Sequence, residues 1–233
     1  MAKRPVYIPQ KSGQVFVKTE YVEFKWYAGM AAVQKQKSIQ SLHEAAVQLN
    51  ICERPLEISS KSELELGVML SAFNLKVTTL KHKQTFSVES AYQSSKVFEH
   101  GGPYKDLLYA TSREAKKDSR LQESGNLIGF QFFGENWPLE PRTVFYDWVY
   151  INALHKNEWA IEELKYFDAF TDIEFNPEKS INCQAYSVAL YRALEWRGLI
   201  QEAISDRRTY FDIVSSKLVN NASENTEIQP RLI

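Results

Sequence analysis

The hydrophobic period changes along this chain, and that change restricts the fold class. Residues 6–28 alternate and are rich in Val, Tyr and Phe, which predicts two short strands around a turn at residues 11–13. Helical periodicity dominates afterwards, in the segments 30–49, 87–98, 112–120, 141–155, 158–168 and 180–198, the last ended by Gly198. This order predicts an α+β fold that is mostly helical, with a small amino-terminal strand layer.

Chain length and local breaks predict the domain organisation. With 233 residues, 44% of them hydrophobic, the chain can bury one sizeable core. Pro55 precedes a short connector or strand at 56–62, so we place a boundary near residue 60. The prediction is an amino-terminal extension at 1–60 packed on the main body, a main domain at 61–215 and a polar tail at 216–233.

The charge balance and cysteine content restrict the partners and the compartment. Lys and Arg number 28 against 29 Asp and Glu, so no global basic field attracts duplex DNA and any contact with nucleic acid must be local. Two cysteines, Cys52 and Cys183, do not make a disulfide framework. No apolar segment suits a signal peptide or a membrane span. These observations favour a cytoplasmic protein.

Motifs for several common chemistries are missing. The chain has no G-x-G-x-x-G, Walker loop, H-E-x-x-H or paired C-x-x-C, so Rossmann, P-loop and zinc chemistry lack support. The four histidines are scattered, and no histidine lies near Cys183 in the sequence, which favours a buried structural cysteine over a Cys/His hydrolase. We therefore expect neither a metal nor a cofactor.

The segment TFSVESAYQSSKVF at 85–98 carries the most informative polar pattern. Glu89, Tyr92, Gln93 and Lys96 stand at i, i+3, i+4 and i+7, which puts them on one face of a predicted helix. The apolar residues of the segment lie on the other side. A solvated helix face explains this pattern, and a polar stripe in an active site explains it too.

A second segment, SREAKKDSR at 112–120, has a basic face. Ser112 is the predicted N-cap, and the basic residues that share one helical face are Arg113, Lys116, Lys117 and Arg120. The pattern is compatible with a solvated face or with contacts to phosphate.

Together the segments resemble the NADAR family, also called YbiA-like, over roughly residues 60–200. The pieces follow the family order: LGVMLSAFNL (66–75), TFSVESAYQSSKVF (85–98), ATSREAKKDSR (110–120), ENW (135–137), FTDIEF (170–175) and INCQAYSVAL (181–190). The resemblance is closest to the stand-alone NADAR antitoxins encoded beside DarT-type toxins, which attach ADP-ribose to a DNA base. It implies an N-glycosidase that cleaves the bond between a base nitrogen and the anomeric carbon of ribose.

In that antitoxin branch the implied substrate is ADP-ribosylated guanine in DNA, the implied product is ADP-ribose, and the DarT-type toxin is the functional partner. Glu89 matches the catalytic Glu of the family, Trp137 its active-site Trp and Asp172 its late acidic residue. Ser90 stands where many members have His, and Ala72 where they have Asn.

The chemistry of this reaction suits the matched residues. Breaking a ribosyl C–N bond builds positive charge on the sugar. A carboxylate such as Glu89 can stabilise that charge or activate the attacking water. Asp172 or Lys96 can protonate the leaving nitrogen; alternatively, a neutral Lys96 amine can attack the anomeric carbon and hold the opened ribose as a Schiff base. A salt bridge is the structural alternative for Lys96.

The remaining candidates would bind the substrate. Aromatic faces can hold a purine, and cations can hold the diphosphate. The predicted substrate-binding residues are Ser71, Phe73, Tyr92, Gln93, Arg120, Trp137 and Asn182. Two alternatives to the antitoxin hydrolase stay open: a YbiA-like N-glycosidase acting on phosphoribosyl intermediates of riboflavin metabolism, and a non-catalytic antitoxin that binds ADP-ribose or the toxin.

Overall fold

The computed structural model describes residues 1–29, 31–79, 83–178 and 180–215, so the predicted polar tail at 216–233 lies outside the described residues. Its strands are β1 (Ala2–Pro9), β2 (Val17–Phe24), β3 (Pro55–Glu57), β4 (Lys76–Thr78), β5 (Thr85–Ser87), β6 (Lys96–Phe98), β7 (Leu127–Phe132), β8 (Glu135–Trp137) and β9 (Ala169–Thr171). Its helices are α1 (Ala32–Gln48), α2 (Glu65–Met69), α3 (Val88–Ser94), α4 (Ser112–Lys117), α5 (Arg120–Glu123), α6 (Val144–Leu154), α7 (Glu158–Leu164), α8 (Gln184–Trp196), α9 (Ile200–Ser205) and α10 (Arg207–Ser215), with a 3-10 turn at Lys105–Tyr109. The predicted α+β class, mostly helical with an amino-terminal strand pair, is confirmed.

The described residues form two compact units. The first contains Met1–Pro55 together with the described residues from Asp168 onward, and the second is Leu56–Phe167. The predicted division into an extension at 1–60 and a functional domain at 61–215 stays a prediction. None of the helices in the described part of the chain has the length and apolar character needed to cross a bilayer.

The first unit is built on the amino-terminal hairpin. β1 and β2 pair antiparallel from Ala2↔Phe24 to Pro9↔Val17, and Gly13 adopts φ +93° in the connection, as the predicted turn requires. β9 joins the other edge of β1 at Tyr7↔Phe170. Alternation puts one face of the hairpin inward, where the core contains Val6, Val22, Phe24, Ile39, Leu42, Ala46, Cys52, Ala169 and Ile173.

Two long helices complete this unit. α1 packs on β2 and buries Ile39, Leu42 and Ala46, the apolar stripe of a helix with 3.6-residue periodicity. α8 packs on β1, and its small residues Ala185, Ala189 and Ala193 are fully buried. Gly198, at φ +68°, follows α8 in the left-handed conformation of a helix terminator, as predicted.

The second unit contains two small sheets and the helices around them. β4 pairs with β5, and β6, β7 and β8 form a three-stranded antiparallel sheet that sequence reasoning did not predict. α6 is apolar on nearly all sides and buried, and α3 packs against it. α3 lies between β5 and β6 in sequence, so the segment 85–98 is strand, helix and strand in turn.

The bounds predicted for the two helices that carry Lys96 and Arg120 were wrong. The helix predicted at 87–98 ends at Ser94, because Ser95 closes the helix and Lys96 begins β6. The helix predicted at 112–120 divides at Asp118, whose extended backbone ends α4 before Arg120 begins α5. Lys96 and Arg120 therefore do not occupy the helical faces on which the periodicity placed them.

Candidate active site

The amino-terminal end of α3 is held by backbone and side-chain hydrogen bonds within the second unit. Val88 N–H donates to Leu75 O (2.9 Å), and Glu89 N–H donates to Ala72 O (2.9 Å). These bonds satisfy backbone donors that the first turn of a helix leaves without intrahelical partners. The turn at residues 71–75 thus fixes the position of Glu89.

Serine hydroxyls reinforce this arrangement. Ser87 caps α3 by accepting a hydrogen bond from Ser90 N–H (3.0 Å), and its Oγ also contacts the Oγ atoms of Ser90 (2.9 Å) and Ser112 (2.8 Å). Ser112 Oγ further donates to Phe73 O (2.8 Å), and Ser90 Oγ to Ala110 O (3.0 Å). Sequence reasoning missed Ser87, although a serine before a helical pattern is an N-cap signal. Ser112 was predicted as the cap of its own helix, but Thr111 takes that role in a capping box with Glu114.

Glu89 presents a nearly buried carboxylate with one oxygen occupied. The residue is only 6% exposed, and its Oε1 accepts a hydrogen bond from Gln93 Nε2 (2.8 Å) and lies 3.9 Å from Lys116 Nζ. Oε2 makes no hydrogen bond within the described residues. This oxygen is not fully enclosed by protein atoms. Gln93 Oε1 is enclosed and lacks a partner among the described residues. Unpaired acceptors beside a buried carboxylate are typical of a site completed by a ligand.

Lys96, on β6, lies within electrostatic range of the same carboxylate. Burial lowers the pKa of Lys96 to about 8, the Glu89 carboxylate opposes that shift, and the Lys116 ammonium adds to it. Lys96 Nζ lies 4.8 Å from the centroid of the Tyr92 ring and makes no hydrogen bond or ion pair within the described residues. The structure therefore brings the predicted pair Glu89 and Lys96 within electrostatic range, without the predicted helical register.

Lys116 is the basic residue of α4 that faces the carboxylate. Its ammonium lies 3.9 Å from Glu89 Oε1 and 5.2 Å from the centroid of the Phe73 ring, and its side chain is 58% exposed. The sequence indicated Lys116 only as one member of a basic face. Because a charge that reaches both a buried carboxylate and solvent can bind an anion, Lys116 joins the candidate site.

Two of the predicted aromatic residues, Tyr92 and Trp137, belong to a cluster of packed rings, and Phe73 lies beside Lys116. Tyr92 lies 5.4 Å from the Phe130 ring and 6.3 Å from the Phe145 ring, between centroids. Trp137 is 3% exposed and packs against Phe145 (5.4 Å) and Trp148 (4.9 Å). Trp137 is thus part of the wall behind Tyr92, and direct stacking of Trp137 on a base stays a prediction.

Arg120 is engaged by its own neighbours. Its guanidinium pairs with Asp118 (2.8 Å) and Asp106 (2.6 Å) and lies 4.4 Å from the centroid of the Tyr104 ring. The two carboxylates hold the pKa of Arg120 above its usual value and also screen its charge. A contact between Arg120 and a diphosphate stays a prediction that would require exchange of these partners.

The remaining predicted residues lie in different places. Ser71 is buried in the turn next to Phe73, and its Oγ donates to Val68 O (2.8 Å). Asp172 and Asn182 belong to the first unit, where Asp172 is buried and accepts hydrogen bonds from the N–H groups of Glu174 (3.0 Å) and Phe175 (3.1 Å). The predicted roles of these residues stay predictions.

The arrangement suits acid–base or nucleophilic chemistry on a cationic centre. It combines a carboxylate with one unpaired oxygen, an amine of lowered pKa and an aromatic face. Within the described residues, no cluster of three or more His, Cys, Asp or Glu side chains is arranged to hold a metal ion.

Comparison with models of protein families identifies the family of this chain. The model of the DarT1-associated NADAR antitoxin family matches residues 2–224, nearly the whole chain. A comparison with curated proteins finds no match. The family match spans both the strand-rich amino-terminal segment and the segments that carry Glu89, Lys96 and Asp172. The chain therefore belongs to the DarT1-associated NADAR antitoxins.

Proposed function

We propose that this antitoxin is an N-glycosidase that removes ADP-ribose from guanine bases in DNA and so reverses the modification made by a DarT1-type toxin. The observation that carries the proposal is the buried Glu89 carboxylate, whose Oε1 is held by Gln93 while Oε2 has no partner within the described residues. The family match supports the antitoxin role. The proposed substrate is the product of the toxin, and its glycosidic bond is of the kind that a carboxylate and an amine can cleave.

Glu89 would act on the sugar. As the bond between the guanine nitrogen and the anomeric carbon breaks, the electron pair leaves with guanine and positive charge develops on the ribose ring. Oε2 of Glu89 stabilises that charge or removes a proton from the attacking water. Water supplies the new hydroxyl of ADP-ribose, and the guanine nitrogen takes up a proton, so the products are ADP-ribose and unmodified guanine.

Two roles are open for Lys96, and they require opposite protonation states of its amine. As an ammonium it protonates the departing guanine nitrogen. As a neutral amine it attacks the anomeric carbon and expels guanine; the bond from that carbon to the ring oxygen then opens to give a Schiff base, which water hydrolyses to ADP-ribose. With the pKa of Lys96 at about 8, roughly a tenth of the amine is neutral at pH 7. A cleavage rate that rises with pH through 8 supports the nucleophile, and one that falls supports the acid.

The test compares wild-type protein with Glu89→Gln. Gln keeps the shape of the side chain but removes its charge, so we expect release of ADP-ribose from a single-stranded oligonucleotide modified on guanine to fall by at least about 100-fold. Released ADP-ribose is measured by chromatography, with EDTA present. An oligonucleotide modified on thymine checks the base preference, and Glu123→Gln, an exposed carboxylate of the same unit, is the matched control.

Absence of release by the wild-type protein would contradict the proposal. If Glu89→Gln still protected cells from the toxin, a binding antitoxin would replace the hydrolase. Phosphoribosyl metabolites would then be assayed as substrates of the alternative N-glycosidase.

A further inference from the structure

The hairpin of β7 and β8 displays an aromatic side chain at its tip. Phe132 pairs with Glu135, so the turn consists of Phe133 and Gly134, which adopt φ +47° and +88°. Positive φ at both central residues is the pattern of a type I′ turn. Phe133 is 59% exposed.

Turn geometry does not favour Phe133, and packing covers less than half of it. Bulky residues disfavour positive φ, and the first position of such a turn favours Asn, Asp or Gly. The Phe133 ring packs against the rings of Phe86 (6.1 Å between centroids) and Phe132 (4.5 Å), yet most of the residue stays exposed. A bulky residue kept in an unfavourable conformation with most of its surface exposed indicates a surface role.

The hairpin tip is structurally continuous with the candidate active site. Lys96 pairs with Phe130 across β6 and β7, so Phe133 follows three residues later, about 10 Å along the strand. Aromatic rings connect the two places. Their centroids are separated by 4.5 Å between Phe133 and Phe132, 5.9 Å between Phe132 and Phe145, and 6.3 Å between Phe145 and Tyr92. Tyr92 is the ring under the Lys96 ammonium.

We propose that Phe133 stacks on a base flanking the ADP-ribosylated guanine in single-stranded DNA, an inference that rests on the proposed function. The tip lies three residues, about 10 Å, beyond Phe130, the partner of Lys96, and stacked bases lie about 3.4 Å apart, so the tip is within a few nucleotides of the reacting base. Residues 127–137 contain no Lys or Arg, and exposed Glu135 follows the turn at the start of β8, so phosphate attraction at the tip is weak. Stacking needs no positive charge and accepts every base.

The experiment compares two substrates that differ in flanking bases. The ratio of kcat/KM for a modified single-stranded oligonucleotide to kcat/KM for ADP-ribosylated guanosine reports the contribution of the flanking DNA. We expect Phe133→Ala to lower this ratio about tenfold, and Phe133→Trp to preserve it. An abasic residue at the flanking position should lower the ratio for the wild type and have little further effect in Phe133→Ala.

Two controls separate stacking from folding. Phe133→Asn creates an Asn-Gly turn that suits the backbone, so it should fold at least as well as the wild type and still lower the ratio. Tyr166→Ala removes an exposed aromatic ring elsewhere in the same unit and should leave the ratio unchanged.

The outcomes distinguish this inference from the proposed function. An unchanged ratio in Phe133→Ala, or an effect on toxin binding in its place, overturns the role of Phe133. Binding of the modified oligonucleotide by Glu89→Gln, measured by fluorescence anisotropy with and without Phe133→Ala, tests stacking without cleavage. An affinity that falls about tenfold supports stacking even if the wild-type protein proves inactive.

Discussion

At the scale of single residues, helical periodicity predicted some positions in the candidate site and not others. Glu89 and Gln93 were predicted on one face of a helix, and the 2.8 Å hydrogen bond between them confirms the i, i+4 relation. Lys96 was predicted on the same helical face but stands on β6. Lys96 nevertheless stays within electrostatic range of the Glu89 carboxylate, because β6 begins only two residues after the last residue of α3.

At this scale we predict that Lys96→Met stabilises the protein. The folded state lowers the pKa of Lys96 to about 8 from 10.5, so the buried ammonium costs stability at pH 7. We expect Met to raise the free energy of unfolding by roughly 2 kcal/mol at pH 7, while cleavage activity is lost. Between pH 8 and 10.5 the folded wild type loses its proton before the unfolded chain does, so its stability rises and the advantage of Met shrinks.

Thermal unfolding at pH 7 and pH 10 measures both the gain and its pH dependence. Lys76→Met, at an exposed position of β4, is the matched control and should change stability little at either pH. A Lys96→Met variant that is less stable than wild type at pH 7 would show that Lys96 contributes a stabilising contact.

At the scale of elements, short helices acquire their position from capping and from neighbouring turns. α3 has only seven residues, too few to be stable by itself. Ser87 caps it and connects it to Ser90 and Ser112, and the backbone of residues 71–75 holds its first turn. The sequence signals the helix, but its end at Ser94 follows from the pairing of the next residues with β7.

We predict that Ser87→Ala lowers the free energy of unfolding by about 1–2 kcal/mol, because it removes a helix cap and leaves two hydroxyl groups with one partner fewer. Glu89 would also lose its fixed position, so kcat/KM should fall. Urea unfolding and the cleavage assay measure the two effects. Ser94→Ala removes a hydroxyl from the same helix that, within the described residues, bonds only to Ala91 O, and should cost less than half as much. Equal losses in the two variants would contradict a special role for the cap.

At the scale of the whole molecule, the two ends of the described chain build one compact unit. Arg197, just after α8, donates to the carbonyl oxygens of Gln10 (2.9 Å), Ser12 (2.9 Å) and Gly13 (3.2 Å) and to that of Val15. Its guanidinium also lies 4.5 Å from the centroid of the Phe16 ring. One side chain thus fastens the amino-terminal turn to a helix more than 180 residues later.

We predict that Arg197→Ala lowers the free energy of unfolding by about 2–3 kcal/mol, since several carbonyl groups lose a charged donor. Arg197→Lys should recover only a part, because an ammonium cannot reproduce the planar fork of donors. Chemical denaturation followed by circular dichroism measures both. Arg208→Ala, an exposed arginine of α10, should change the stability by less than about 0.5 kcal/mol. If Arg197→Ala changed the free energy of unfolding as little, water would have to replace the Arg197 guanidinium as the hydrogen-bond donor to these carbonyl groups.

The sequence by itself determined the fold class, the amino-terminal hairpin with its turn, the helices α1, α6 and α8, and Glu89 as the leading candidate. These depend on local periodicity, turn chemistry and a motif whose residues are close together in the chain. The tertiary structure alone decided that Lys116 approaches Glu89, that β6, β7 and β8 form a sheet, and that Arg120 pairs with Asp106. Those contacts join different elements, where the free energy comes from burial and pairing between elements and leaves no periodic trace in either one.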